Sequence, residues 1–119
     1  MKRTEKFAKN LKIKLVKNKL KIEKLLQAPN IKPILQNFSN TQIKVVLDLL
    51  HLIFSKQVAT PIKFKREQSD YSESLIILSK KFSSEQNYKK TCQLSNSKII
   101  TLLHRHQNLV KKFISFLYK

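Results

Sequence analysis

The residues best equipped for acid–base or metal chemistry in this chain are few: His51, His104, His106, Cys92 and seven acidic side chains. On a helix, His104 and His106 point about 160° apart and cannot close on one metal ion. His106 falls within the apolar face of its helix, where a packed, hydrogen-bonded core histidine is expected. His51 stands alone. Cys92 has no second thiol to pair with and belongs to no Cys/His set of zinc-binding spacing, so it reads as a buried or inert thiol. Asp48 is the one acid near a strongly apolar stretch and reads as an ion-pair or helix-surface residue; the other acids mostly face lysines on solvated surfaces. A nucleophile beside a base, or two acids in distinct environments, is missing from this pattern. The chain is therefore expected to be no enzyme and to need no cofactor and no metal.

The abundant chemistry is cationic. Lys and Arg total 25 against 7 Asp and Glu, a formal charge of +18 over 119 residues. Such a surplus repels itself unless a polyanion neutralises it, which makes nucleic acid the first expected partner and an anionic membrane surface a distant second. There is no glycine. Phosphate-cradling Gly-rich loops are thereby excluded, because they need residues without a side chain beside the phosphates. Arginine occurs only at Arg3, Arg66 and Arg105. Bidentate reading of guanine favours arginine, so a lysine-dominated set points to backbone contact without sequence choice. Aromatic residues fall mainly on apolar faces, which argues against a base-stacking platform and places double-stranded DNA ahead of RNA.

Two clusters supply the expected contacts. The amino-terminal one comprises Lys6, Lys9, Lys17, Lys21 and Lys24; the carboxy-terminal one comprises Lys98, Arg105, Lys111 and Lys112. Lys98, Arg105 and Lys112 recur every seven residues, roughly 10 Å apart along one helix, comparable with phosphate spacing along a groove.

The elements that must carry these residues all read as helices. Residues 39–54, SNTQIKVVLDLLHLIF, spread apolar side chains over roughly 220° of a helical wheel, a helix covered on several sides. Ser39 and Gln42 form a capping-box pattern at its start. Residues 4–27 predict a long amphipathic helix. Its apolar stripe runs through Phe7, Ala8, Leu11, Leu15, Ile22, Leu25 and Leu26, and eight basic residues, with Lys2 and Arg3 just before them, stand against Glu5 and Glu23. Ile13, Val16 and Leu20 fall off that stripe, among the lysines. Pro29 and Pro33 bound a break with a short helical turn at 31–38. Thr60 and Pro61 look like an N-cap and first helical position, opening a helix to Phe82 with Phe64, Tyr71, Leu75, Leu78 and Phe82 on one face. A second capping box at 83–86 leads to a short helix with Tyr88 and Cys92, and one regular helix is expected over about 97–117. The start, MKRTEKFAKN, has no apolar h-region, so no signal peptide is expected, and no run is long enough to span a membrane.

A succession of local features carries a resemblance. Lys24-Leu25-Leu26-Gln27-Ala28-Pro29 is followed by Ile34-Leu35, Ser39-Asn40-Thr41-Gln42-Ile43-Lys44-Val45-Val46 and the apolar run at 50–54. Then come Ala59-Thr60-Pro61-Ile62, Leu75-Ile76-Ile77-Leu78-Ser79-Lys80-Lys81-Phe82-Ser83 and Lys89-Lys90. Over about residues 20–103 this resembles small basic open reading frames of Polinton-like and adintovirus-type DNA viruses, which have been compared with adenovirus core protein X. Where those continue into a Gly-Gly-led apolar segment, this chain has Leu94-Ser95-Asn96-Ser97-Lys98-Ile99-Ile100-Thr101-Leu102-Leu103, without glycine. The resemblance implies a virion core or DNA-condensing role and transfers no catalytic residue.

The expectation is an all-α bundle of about five or six helices around a central apolar helix at about 40–55. A basic amphipathic helix at 1–28, partly mobile without a polyanion, precedes a helical domain at 29–119. The expected function is non-specific binding of nucleic acid, in a virion or host nucleus if the chain is viral and otherwise in the nucleus or cytoplasm. The rival is a structural or adaptor protein, a homo-oligomer or a partner of another virion protein, favoured by Ile13, Val16, Leu20, Ile76 and Ile77.

Overall fold

The computed structural model describes residues 13, 16–55 and 72–118. The described residues are all-helical: α1 (Lys19–Gln27), α2 (Lys32–Gln36), α3 (Asn40–Phe54), α4 (Ser72–Phe82), α5 (Glu85–Cys92), α6 (Asn96–Arg105) and α7 (Gln107–Tyr118). None of these helices is long and apolar enough to cross a membrane.

Helix α3 is the centre of the bundle. Every side chain from Val45 through Ile53 is buried, including Asp48 and His51. It packs against α4, α5 and α7, while α1 lies on α7 and α2, and α2 lies on α6. The capping box at its start forms as expected. The Gln42 amide donates to Ser39 Oγ at 3.2 Å and the Ser39 amide donates to Gln42 Oε1 at 2.9 Å, which satisfies amides that have no partner within the helix. Phe54, at the other end, meets Phe113 edge-on with centroids 4.8 Å apart and also stacks near Phe82, tying α3 to α7 and α4.

One contiguous core takes in Ile22 and Leu25 of α1, Leu35 of α2, Leu78 and Phe82 of α4, Ile99 and Leu103 of α6, and Leu109, Val110, Phe113 and Ile114 of α7. Helix α1 is seated in the same interior as α3. The helix expected from Thr60-Pro61 is seen over Ser72–Phe82; its predicted start, with Phe64 and Tyr71, lies outside the described residues.

Two long helices expected from periodicity are each interrupted. The amino-terminal one is broken at Asn18 (φ −110°, ψ 22°) and the carboxy-terminal one at His106 (φ −115°, ψ 28°). In both places a polar residue leaves the helical basin, and each break is held by a contact from elsewhere in the chain. Asn18 Oδ1 accepts from Gln42 Nε2 at 3.4 Å, and His106 Nδ1 lies 2.8 Å from Ser74 Oγ. Apolar spacing runs on through both residues, so a periodicity reading has no way to see a break imposed by tertiary hydrogen bonds. Ser84 caps α5 by accepting from the Asn87 amide at 3.1 Å, one residue later than the expected box.

Candidate nucleic-acid interface

The turn at 28–31 is where the two predicted basic clusters meet. Pro29 ends α1, and the Ala28 amide closes its last turn onto the Lys24 carbonyl. From α7, Lys111 Nζ donates to the Ala28 carbonyl at 2.9 Å. From the α6–α7 junction, Gln107 Oε1 accepts from the Ile31 amide at 3.1 Å, across 76 residues of sequence. Lys32 follows Ile31 directly, and Arg105, the last residue of α6, precedes Gln107 by two. The joint thus brings together parts of four helices, α1 with Lys24, α2 with Lys32, α6 with Arg105 and α7 with Lys111. Lys24, Lys32 and Arg105 are exposed, whereas Lys111 is half-buried because its ammonium serves the turn.

The remaining predicted residues are placed as follows. Lys17 is exposed just before the Asn18 break, Lys21 is half-buried on α1, and Lys98 is exposed at the start of α6. Lys112 is half-buried on α7. The break at His106 puts Lys112 on a different helix from Lys98 and Arg105. The straight phosphate-spaced row expected of these three does not exist, and only Lys98 and Arg105 keep a common helix. Lys6 and Lys9 lie outside the described residues.

Lysines outside the two predicted clusters also reach solvent: Lys32, and the pairs Lys80-Lys81 and Lys89-Lys90 on either side of the α4–α5 turn. The doubled lysines were a visible signal. Lys32 was not, because its importance comes from the long-range contact of its neighbour Ile31. The acids among the described side chains are Glu23, Asp48, Glu73 and Glu85, too few to neutralise this surface. Asp48 pairs with Lys44 at 3.2 Å and Glu85 with Lys89 at 3.8 Å.

A separate polar cluster sits under α5. Asp48 forms an ion pair, one of the two roles expected of it, but it is only 4% exposed and so does not lie on the helix surface. It accepts from the Tyr88 hydroxyl and from the Lys44 ammonium. Lys44 Nζ also reaches Tyr88 Oη at 2.9 Å and Cys92 Sγ at 3.2 Å, and it lies 4.5 Å from the centre of the Tyr88 ring. The other side of the Tyr88 neighbourhood is closed by His51, whose ring stacks parallel on it at 4.2 Å. His51 Nδ1 lies 2.6 Å from the Phe82 carbonyl, which can only accept, so that nitrogen carries the hydrogen. Burial, reinforced by Asp48 as acceptor, holds the Tyr88 phenol far above its usual range. Burial pulls the Lys44 ammonium down, but the Asp48 carboxylate with the Cys92 contact outweighs it, and the net direction is up. These groups compensate one another, so the cluster is a structural lock between α3 and α5.

His106 is packed as expected, 6% exposed, with its Nε2 buried and lacking a hydrogen-bond partner. Burial first, and then the Arg105 guanidinium, hold it below the usual imidazole range, with Glu73 pulling the other way. Among the described residues no group of three or more His, Cys, Asp or Glu could hold a metal ion. No protein-family model matches this chain, and neither a curated protein nor a solved structure does.

Proposed function

We propose that this basic helical domain grips the phosphate backbone of nucleic acid, double-stranded DNA first, without choosing a sequence. The observation that carries the reading is the joint at 28–31, where Gln107 and Lys111 of α7 bind the turn between α1 and α2, with the exposed Lys24, Lys32 and Arg105 close in sequence to the groups joined there. A rigid frame matters here. Charges fixed on a packed joint lose less freedom on meeting phosphates than charges on a loose tail, so more of the attraction survives as affinity. The aromatic side chains Phe38, Phe82, Tyr88 and Phe113 are buried, so these four offer no stacking surface to single strands. Compaction of a genome inside a virion core is the finer form of the same reading; it is supported by the resemblance to small viral basic proteins and by the charge of +18.

Binding to two duplexes of unrelated sequence, and to one strand of each, tests the reading. The expected result is equal affinity for both duplexes and weaker binding to the single strands. A strong preference for one duplex, or for the single strands, would contradict it.

A second role, contact with a protein partner, is favoured by one specific observation. Ile13, Val16, Leu20 and Ile76 are 55%, 72%, 74% and 59% exposed. Phosphates do not cover aliphatic side chains, so this role stands beside DNA contact and does not replace it.

A further inference from the structure

We infer that the lysines around the α4–α5 turn, Lys80, Lys81, Lys89 and Lys90, form a second site for the phosphate backbone, so that one copy of the chain holds two duplexes at once. The inference rests on the DNA reading above and adds to it a second partner of the same chemistry.

The fold assembles these four residues. They lie in the last turns of α4 and α5, and all four are exposed. Thr91, itself buried, shares its hydroxyl hydrogen between the Lys81 carbonyl, at 3.1 Å, and the Asn87 carbonyl of its own helix, at 3.0 Å. The backbone that carries Lys90 is thereby set beside the backbone that carries Lys81. From residue 74 through residue 93 there is a single acid, Glu85, and it meets Lys89 at 3.8 Å between exposed side chains. Such a pair contributes little and yields readily to a phosphate. Every exposed side chain from Lys80 through Gln93 is polar. Lysine with serine, asparagine and glutamine suits backbone phosphates, whereas the middle of a protein interface is depleted in lysine. The composition favours a duplex over an acidic protein.

The turn lies on a different side of the molecule from the joint at 28–31. The helices that meet at the joint, α1, α2, α6 and α7, pack in a ring on one another, whereas α4 and α5 pack on each other and on α3. Lys44 and Asp48 of α3 face α5, and His51 faces the end of α4. Gln42 instead meets Asn18 at the start of α1. At 100° per residue, Gln42 points about 120° to 180° away from those three side chains. Helix α4 begins beside the α6–α7 junction, where Ser74 meets His106. It carries Lys80 and Lys81 at its other end, roughly 10 Å further along its axis. A straight duplex seated on Lys24, Lys32 and Arg105 leaves the α4–α5 turn open to another.

The test uses the full chain, one duplex fixed to beads and a fluorescent duplex of unrelated sequence in solution. The wild-type chain is expected to hold the fluorescent duplex on the beads. The Lys80→Gln/Lys81→Gln/Lys89→Gln/Lys90→Gln variant should lose that capture by about tenfold or more. Its affinity for a lone duplex should weaken by about threefold at most, because the joint is untouched, and its melting temperature should match the wild type. The proposal is overturned if the wild-type chain binds the bead duplex and captures no second one, a result that leaves the DNA reading standing. It is overturned if the variant captures the second duplex as well as the wild type does, which would assign the bridging to paired copies of the chain. A loss of lone-duplex affinity as steep as the loss of capture would put both sets of lysines on one duplex and also overturns it. So does polyglutamate held on the beads in preference to the second duplex, which would give the turn to an acidic protein. Failure to bind the bead duplex at all removes the DNA reading and this inference with it.

Discussion

Tyr88 of α5 donates its hydroxyl hydrogen to the buried carboxylate of Asp48 on α3, and Lys44, one turn before Asp48, pairs with the same carboxylate. The central helix is otherwise closed to water from Val45 through Ile53. A charge in that position is tolerable only when its lone pairs are met, so α5 is held in place by the needs of one carboxylate.

Removing the donor while keeping the ring isolates that effect. Tyr88→Phe is expected to destabilise the fold by about 1–3 kcal/mol, because Asp48 then lacks a partner it cannot replace with water. Urea denaturation measures it. DNA affinity should be unchanged, since the phenol faces inwards.

Lys44 separates structural from functional lysines. Lys44→Gln should lower the urea midpoint, through the loss of the Asp48 ion pair, and leave the salt dependence of DNA binding alone. Lys24→Ala and Arg105→Ala should do the reverse. Each is expected to reduce the salt slope by about one, uniformly across DNA sequences, with little change in stability. Filter-binding or fluorescence titrations at several salt concentrations distinguish the two classes.

Gln107 is expected to matter without touching DNA. Its side-chain oxygen holds the Ile31 amide across the joint that collects Lys24, Lys32, Arg105 and Lys111. Gln107→Leu should cost about 1–3 kcal/mol by orphaning that amide, and it should weaken duplex binding by loosening the frame. A loss of stability with wild-type affinity would show that the joint does not position the cations.

The pH dependence follows from His106. Its imidazole is held below the ordinary value of 6.5 in the folded chain, by burial and then by Arg105. The unfolded chain therefore takes up a proton more readily, and stability present above pH 6.5 falls as the pH drops below it. His106→Leu should flatten that acidic limb in melting temperatures taken between pH 5 and 8, after comparison with the wild-type chain. An unchanged limb would assign the acid sensitivity to other groups.

The helices and most of the core were legible in the sequence because apolar spacing survives translation into burial: Ile43, Leu50, Leu78, Phe82, Leu103 and Phe113 are inside as their periodicity demands. The breaks at Asn18 and His106 were not, since the residues that meet them, Gln42 and Ser74, come from distant positions. The same reason hid the joint at 28–31. Lys24 and Lys111 were each recognisable as basic, but their helices meet through tertiary packing in the shared core and a long-range hydrogen bond from Lys111 to a backbone carbonyl. Of the two roles expected of Asp48, ion pair or helix surface, the pair with Lys44 is present, but its burial was hidden because its partner Tyr88 arrives from a helix forty residues further on.

The slope of log affinity against log salt for a random-sequence duplex tests the central claim most directly. Neutralising about five phosphates predicts a slope near −4.5, so that affinity falls roughly 500-fold between 50 and 200 mM salt. A slope near zero, with binding that survives 200 mM salt undiminished, would contradict a phosphate-gripping function for this domain.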